Sequence, residues 1–232
     1  MTKVAIMQPT YLPWCGYFAL IDTVDVFVLL DTVQFTRRSW QQRNRIKTAN
    51  GPSWLTVPVI SKGKRDQRIC DVQVDATRDF PANHIKSLTH NYSNAAYFAE
   101  YGPSLLEILG RGYAQLAALT IDLIRLLSSM FELKTPILLA SDIEHTGAKA
   151  ELLASICTRV GGDTYISPPG SKVYLDESNA LERQSIDLRY FQYDHPVYEQ
   201  LYGDFIPYLS AIDLLFNAGP ASQNIIRSGC AQ

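Results

Sequence analysis

No apolar run in this sequence reaches the roughly 18 residues a membrane-spanning helix needs, so a membrane span is not expected. Cysteine is scarce. Cys15, Cys70, Cys157 and Cys230 lie far apart and form no C-x-x-C pair, which argues against a disulfide framework or a thiolate zinc site. Histidine is equally sparse: His84, His90, His145 and His195 show no H-x-x-x-H spacing, so no resident metal is expected. A net charge of only −2 predicts no polyanion partner, and with no nucleic-acid motif either, nucleic-acid binding is disfavoured. Hydrophobic residues at 47% against 19% charged leave no room for a disordered chain. The opening MTKVAIMQP holds too short an apolar stretch for a signal peptide, and the expected location is the cytoplasm.

What is present is enough chain, 232 residues, for a single domain with a substantial core. Val4-Ala5-Ile6-Met7, stopped by Gln8-Pro9, reads as a buried parallel strand. Gly16 to Asp22 has helical spacing, and Val26 to Leu30 is a second buried strand closed by Asp31. Strand, helix and strand within thirty residues predict a βαβ unit of nucleotide-binding type. Trp54 to Ile60 reads as a further strand, edge or bulged at Pro58, with Cys70 to Val74 as a possible partner. From about 82 to 133 the pattern is helical, with Pro103-Ser104 offering a helix start. Pro136 to Ser141, Thr164 to Ile166 and Ile186 to Tyr193 read as strands. Ala148 to Val160 is a helix stopped by Gly161-Gly162, and Phe205 to Asn217 a closing helix. The sum is a three-layer α/β fold over residues 1–232, with a mainly parallel sheet and a helical insertion or lateral layer at about 82–133.

Charge is distributed unevenly. Between Arg37 and Arg68 nine basic residues face one acid, Asp66, so this segment is +8 in a chain of net −2 and the remainder is −10. It reads as a field focused on an anionic ligand or as a plain solvated loop. In parallel sheets ligands sit at the carboxyl ends of strands, where Gln8–Trp14 and Asp31–Phe35 belong. Arg43, Arg45, Lys47 and Lys172 are the candidate phosphate binders, and Gln8, Gln34 and Asn44 orient the substrate. Asp31, closing a buried strand, is expected at the cleft, where it orients the substrate and joins His195 as a candidate catalytic residue, and Ser167 at the end of Thr164–Ile166 joins the binding set. Tyr11 and Trp14, with Tyr17 and Phe18, form either an aromatic wall for a sugar or base, or core. His195, between Asp194 and Pro196, is either a general base or a structural histidine. Cys15 is either a helix-terminal nucleophile or a small packed hydrophobe, the latter favoured, and Asp213 reads as a satisfied core carboxylate.

Three blocks together resemble the WbqC-like family over nearly the whole length. They are Gln8-Pro9-Thr10-Tyr11-Leu12-Pro13-Trp14 with Gly16-Tyr17-Phe18; Asp31-x-x-Gln34-Phe35 with Trp40 to Lys47; and Tyr165-Ile166-Ser167, Tyr174-Leu175 and Asp194 to Tyr198. The resemblance implies a role in surface-polysaccharide or other specialised biosynthesis, with acyl transfer to an amino sugar as its chemistry. A weaker N-terminal resemblance is to pantothenate synthetases and related adenylyl-transferring enzymes, whose His-x-Gly-His loop receives ATP phosphates at a helix start. Trp14-Cys15-Gly16-Tyr17 matches that loop without its histidines. Val28 to Phe35 matches the second strand, and Ser171-Lys172-Val173-Tyr174-Leu175 the late basic loop.

The expected function is a transferase moving an acyl or aminoacyl group onto an amine of an anionic nucleotide-linked or carrier-linked substrate. In that scheme His195 takes the amine proton, and a nucleotide with Mg²⁺ is the cofactor it would accommodate. The alternatives are a non-catalytic binding or scaffold protein for a nucleotide-sugar or a partner enzyme, and an ATP-dependent adenylyl-transferring ligase. Nothing in the sequence signals an oligomeric state.

Overall fold

The computed structural model describes residues 1–230. Five strands form one wholly parallel sheet: β1 (Lys3–Met7), β2 (Val26–Leu29), β5 (Ile137–Leu139), β6 (Thr164–Ser167) and β7 (Asp187–Tyr190). A separate antiparallel hairpin is made by β3 (Arg43–Thr48) and β4 (Gly51–Thr56). In the sheet the order is β5-β2-β1-β6-β7, with β1 at the centre. The chain first steps outward from β1 through β2 to β5, then returns to the other side of β1 for β6 and β7. Strand order therefore reverses between β1 and β6, the place where open α/β sheets leave a crevice at their carboxyl edge.

Each central strand is buried on both faces, and alternation sorts its side chains. Ala5, Phe27 and Leu29 enter a larger core; Val4, Ile6, Val28, Leu30 and Tyr165 enter a smaller one. The larger core takes α1 (Cys15–Thr23), α2 (Phe80–Tyr92), α3 (Phe98–Gly110), α4 (Leu116–Met130), α8 (Ala211–Ala218) and α9 (Ser222–Ser228). Against the smaller face lie α5 (Ala150–Arg159), α6 (Lys172–Asp176) and α7 (Ala180–Arg183). The result is a three-layer α/β fold with the expected β1–α1–β2 unit. No helix among the described residues is long and apolar enough to cross a membrane.

Several boundaries differ from the sequence reading. The strand expected over 54–60 runs from Gly51 to Thr56, and its partner is Arg43–Thr48; Cys70 sits in a 3₁₀ turn, and Val74 makes only an isolated bridge to Val59. The helical stretch is three helices, and Pro103 lies inside α3 instead of starting a helix. The closing helix begins only at Ala211, because the Ser210 hydroxyl accepts from Ile212 N and caps it there. Ser171–Leu175 is not a loop: Lys172 opens the short helix α6.

Candidate functional site

The crevice predicted by the strand order is present. Ile6, Met7 and Gln8 from β1 and its end, Leu30 after β2, Tyr165 from β6, Pro168 just after it and Leu153 from α5 contribute to a cavity of about 370 Å³. Thr36, Ser39, Trp40 and Gln41 close it from the loop that precedes the hairpin, and Ser171 and Tyr174 from the start of α6. A second chamber, also about 370 Å³, shares Thr10 and Trp40 with the first and is otherwise lined by Pro13, Trp14, Tyr17, Asn44, Arg45 and Tyr208.

The polar groups of the crevice are oriented by a chain of hydrogen bonds that starts at the backbone. Thr36 N–H donates to Gln41 Oε1 at 2.9 Å, so Gln41 presents Nε2 to Gln8 Oε1 at 2.6 Å. Gln8, a lining residue of the crevice, thus has its Oε1 engaged, while no acceptor among the described residues takes its Nε2. Its main-chain carbonyl accepts from the buried Tyr17 hydroxyl at 3.1 Å, which pins the strand end.

The loop from Gln8 to Trp14 is clamped at several points. Tyr11 N–H donates to Trp40 O, and Ala211 N–H to Pro13 O. Asn44 Nδ2 donates to Leu12 O at 2.6 Å and holds Leu12 at φ +45°, a left-handed conformation that costs a non-glycine residue roughly 1–3 kcal/mol. The Trp14 ring then folds back over the first turn of α1, so close that a Cβ on Gly16 would meet it at 2.3 Å. Only glycine fits there. The ring and the burial of Cys15 and Gly16 close this helix start, so it does not receive phosphates as the pantothenate-synthetase resemblance implies.

Of the residues singled out in the sequence, Gln8 lines the crevice, and Trp14, Tyr17, Asn44 and Arg45 line the second chamber. The others lie elsewhere. Asp31 is buried with its Oδ1 accepting from Ser141 N–H at 2.9 Å, which ties the ends of β2 and β5 together. Tyr11 is wholly buried, its hydroxyl 2.7 Å from His84 Nδ1. Gln34 is exposed and donates to Arg65 O and Asp66 Oδ1. Lys47 is 1% exposed and donates from Nζ to the carbonyls of Gly203 and Asp204, at 3.2 and 2.6 Å. A buried ammonium committed to main-chain carbonyls is a clamp on the C-terminal segment, not a phosphate ligand. Ser167 is buried and turned to Pro168 O. Lys172 pairs with Asp176 at 3.1 Å and lies over the Tyr190 ring. Arg43 stacks its guanidinium on Trp54 at 4.3 Å, outside both cavities.

His195 sits behind the second chamber, not in its wall. Trp14 and Tyr208 lie between, and Tyr193, Tyr198 and Phe205 complete an aromatic box around the imidazole. Nδ1 faces Pro196 O at 2.9 Å, Nε2 is buried without a partner, and burial lowers the pKa and favours the neutral ring. Cys15 is fully buried. Burial, then the nearby Asp213 charge, pushes its thiol well above the usual range, the reverse of a nucleophile at a helix start. Asp213 accepts from the Tyr92 and Tyr198 hydroxyls at 2.7 and 3.0 Å, while burial raises its pKa. Among the described residues no three His, Cys, Asp or Glu side chains gather as a metal site.

The sequence reading missed Thr36, Ser39, Gln41, Ser171 and Tyr208. Gln41 was visible within Trp40-Gln41-Gln42, and Ser171 follows β6, the strand that flanks β1 across the switch point. Tyr208 carried no sequence signal, since it arrives from a loop 200 residues after the motif it covers.

A model of the WbqC-like protein family matches residues 8–225 of the chain. The chain is also similar to the uncharacterized protein Rv1507c of Mycobacterium tuberculosis (strain ATCC 25618 / H37Rv), at 40% identity over 229 residues, covering 98% of each. No solved structure matches.

Proposed function

Because the chain belongs to the WbqC-like protein family, we propose that it is a small-molecule transferase whose two substrates occupy the two adjoining chambers. The observation that carries this reading is the pair of cavities that share Thr10 and Trp40, one at the switch point of the sheet with a few amides and hydroxyls in a mainly apolar wall, the other aromatic. A transfer between two small molecules needs both held at contact distance, and the shared wall supplies that proximity. The crevice, where the amides of Gln8 and Gln41 and the hydroxyls of Thr36, Ser39 and Ser171 sit in an otherwise largely apolar wall with no charged side chain among its lining residues, takes the nucleotide-linked or carrier-linked partner. Gln8 Nε2 is its oriented donor. The transferred group is acyl or aminoacyl, and its acceptor is an amine.

One observation favours a second reading. Neither chamber is lined by a cysteine, histidine or carboxylate, which suits a protein that recognises such a ligand without transforming it.

A thermal-shift screen of nucleotides, nucleotide-sugars and acyl carriers tests the crevice. A ligand at about 100 times its Kd stabilises by roughly 2.7 kcal/mol, and Gln8→Ala is expected to weaken that ligand about tenfold or more. Incubating the ligand with acyl donors and weighing the products by mass spectrometry separates the readings: a mass gain equal to the acyl group supports transfer, and binding without it supports recognition alone. Failure of every nucleotide, nucleotide-sugar and acyl carrier to bind removes both.

A further inference from the structure

The second chamber has a chemical character of its own. Its walls are the rings of Trp14, Tyr17, Trp40 and Tyr208, and the one charged group among its lining residues is Arg45. Most of the other polar atoms in the wall are already engaged. Asn44 is used on Leu12 O and on Arg45 N–H, and the Tyr17 hydroxyl on Gln8 O.

Arg45 itself is under-committed. No carboxylate among the described residues pairs with it. Among the described residues its only side-chain hydrogen bond is from Nη2 to Tyr208 O at a long 3.5 Å, and its buried Nε meets no acceptor. The guanidinium is held instead by the face of Trp54, 5.8 Å from its centroid. A half-buried guanidinium without an acid is an uncompensated charge, and such groups mark binding sites more than they mark stability.

We propose that this chamber binds a carboxylate carried on an aromatic or other flat apolar body, with Arg45 gripping the carboxylate and the Trp14, Trp40 and Tyr208 rings stacking the body. The inference deepens the transferase reading by naming what its second substrate carries. Arg presents paired N–H donors that match the two oxygens of a carboxylate. One guanidinium balances one negative charge. A phosphate dianion would need further donors, and beyond Thr10 the wall offers few. The apolar rings favour a ligand whose remainder sheds water on entry.

The chain carries its own reporter. All three tryptophans lie here: Trp14 and Trp40 in the chamber wall, and Trp54 against Trp40 at 5.4 Å. Titrating the full chain with 2-naphthoate while following tryptophan emission should give a saturable change. 2-Naphthamide, the neutral isostere, should bind about tenfold more weakly or worse, and inorganic phosphate should give no saturable change. Arg45→Gln should abolish the preference for the acid over the amide. Equal binding of acid and amide, no binding of either, or an acid preference that survives Arg45→Gln overturns the proposal. The wild-type comparison decides even where the variant does not fold. Naphthoate binding in a chain that fails the nucleotide screen keeps this assignment and removes the transferase reading; nucleotide binding without naphthoate binding does the reverse.

Discussion

His84 shows what the interior does to a polar residue. It is 6% exposed, packed against Phe80 and bonded to the Tyr11 hydroxyl, and burial lowers its imidazole to about 4. The neutral ring is the folded form, whereas the unfolded chain takes up a proton near pH 6.5. The stability His84 contributes is therefore full above about 6.5 and lost as the pH falls towards about 4, an effect on the order of 3 kcal/mol at most. Urea unfolding of the wild type and His84→Gln at neutral pH and near pH 4 is expected to show their difference shrinking in acid. A difference independent of pH would remove burial as its cause. The same comparison explains why single residues were poorly legible in the sequence. Tyr11, Asp31 and Lys47 stand at strand ends or within a basic run, where a ligand contact is a reasonable expectation. Which way each points is set by partners distant in sequence: His84, Ser141 and the Gly203-Asp204 carbonyls.

At the scale of elements, apolar runs spoke clearly and polar strands did not. Val4–Met7 and Val26–Leu29 are buried on both faces and read as continuous hydrophobic stretches. Strand β3 is RNRIKT: its buried positions are Asn44, Ile46 and Lys47, so only one apolar residue signals the inward face. The hairpin hid inside what looked like a basic loop, and it contributes two walls of the second chamber through Asn44 and Arg45. Helix α3 holds the opposite lesson. Pro103 is its sixth residue and exposed, with no N–H for the Ala99 carbonyl. Pro103→Ala is expected to stabilise the protein by about 1–3 kcal/mol, seen as a higher Tm with slightly increased helical circular dichroism. A lower Tm would show that the ring makes a packing contact worth more than the missing bond.

For the molecule as a whole, the C-terminal segment is a structural part of the N-terminal motif. Ser210 N–H donates to Arg45 O at 2.9 Å and Ala211 N–H to Pro13 O at 2.8 Å, and Arg227 pairs with Asp22 at 2.6 Å. Ile212, Leu214, Phe216 and Ile226 are wholly buried in the larger core. A chain ending at residue 204 should lose its cooperative thermal transition and bind a hydrophobic dye, since it would expose that core and leave Tyr92 and Tyr198 without Asp213. A sharp transition within a few degrees of the full chain would contradict this. The sequence's βαβ start placed the ligand face at the carboxyl ends of β1 and β2, but the reversal of strand order between β1 and β6 that opens the crevice is visible only in the structure, since it depends on which strands pair across long stretches of chain.

That strand order also sets a timetable. Val26, the partner of Val4, follows it by only 22 residues, whereas Thr164, the partner of Lys3, follows by 161. At ribosomal speeds of about 5–20 residues per second, on the order of ten seconds separate the emergence of the two walls of the crevice. During that interval one edge of the first strand is bare, and a nascent chain has half a binding site that can hold nothing. Ligand can therefore assist only the last stage of maturation, and any factor that shields the young chain must cover the open flank of β1 until β6 arrives.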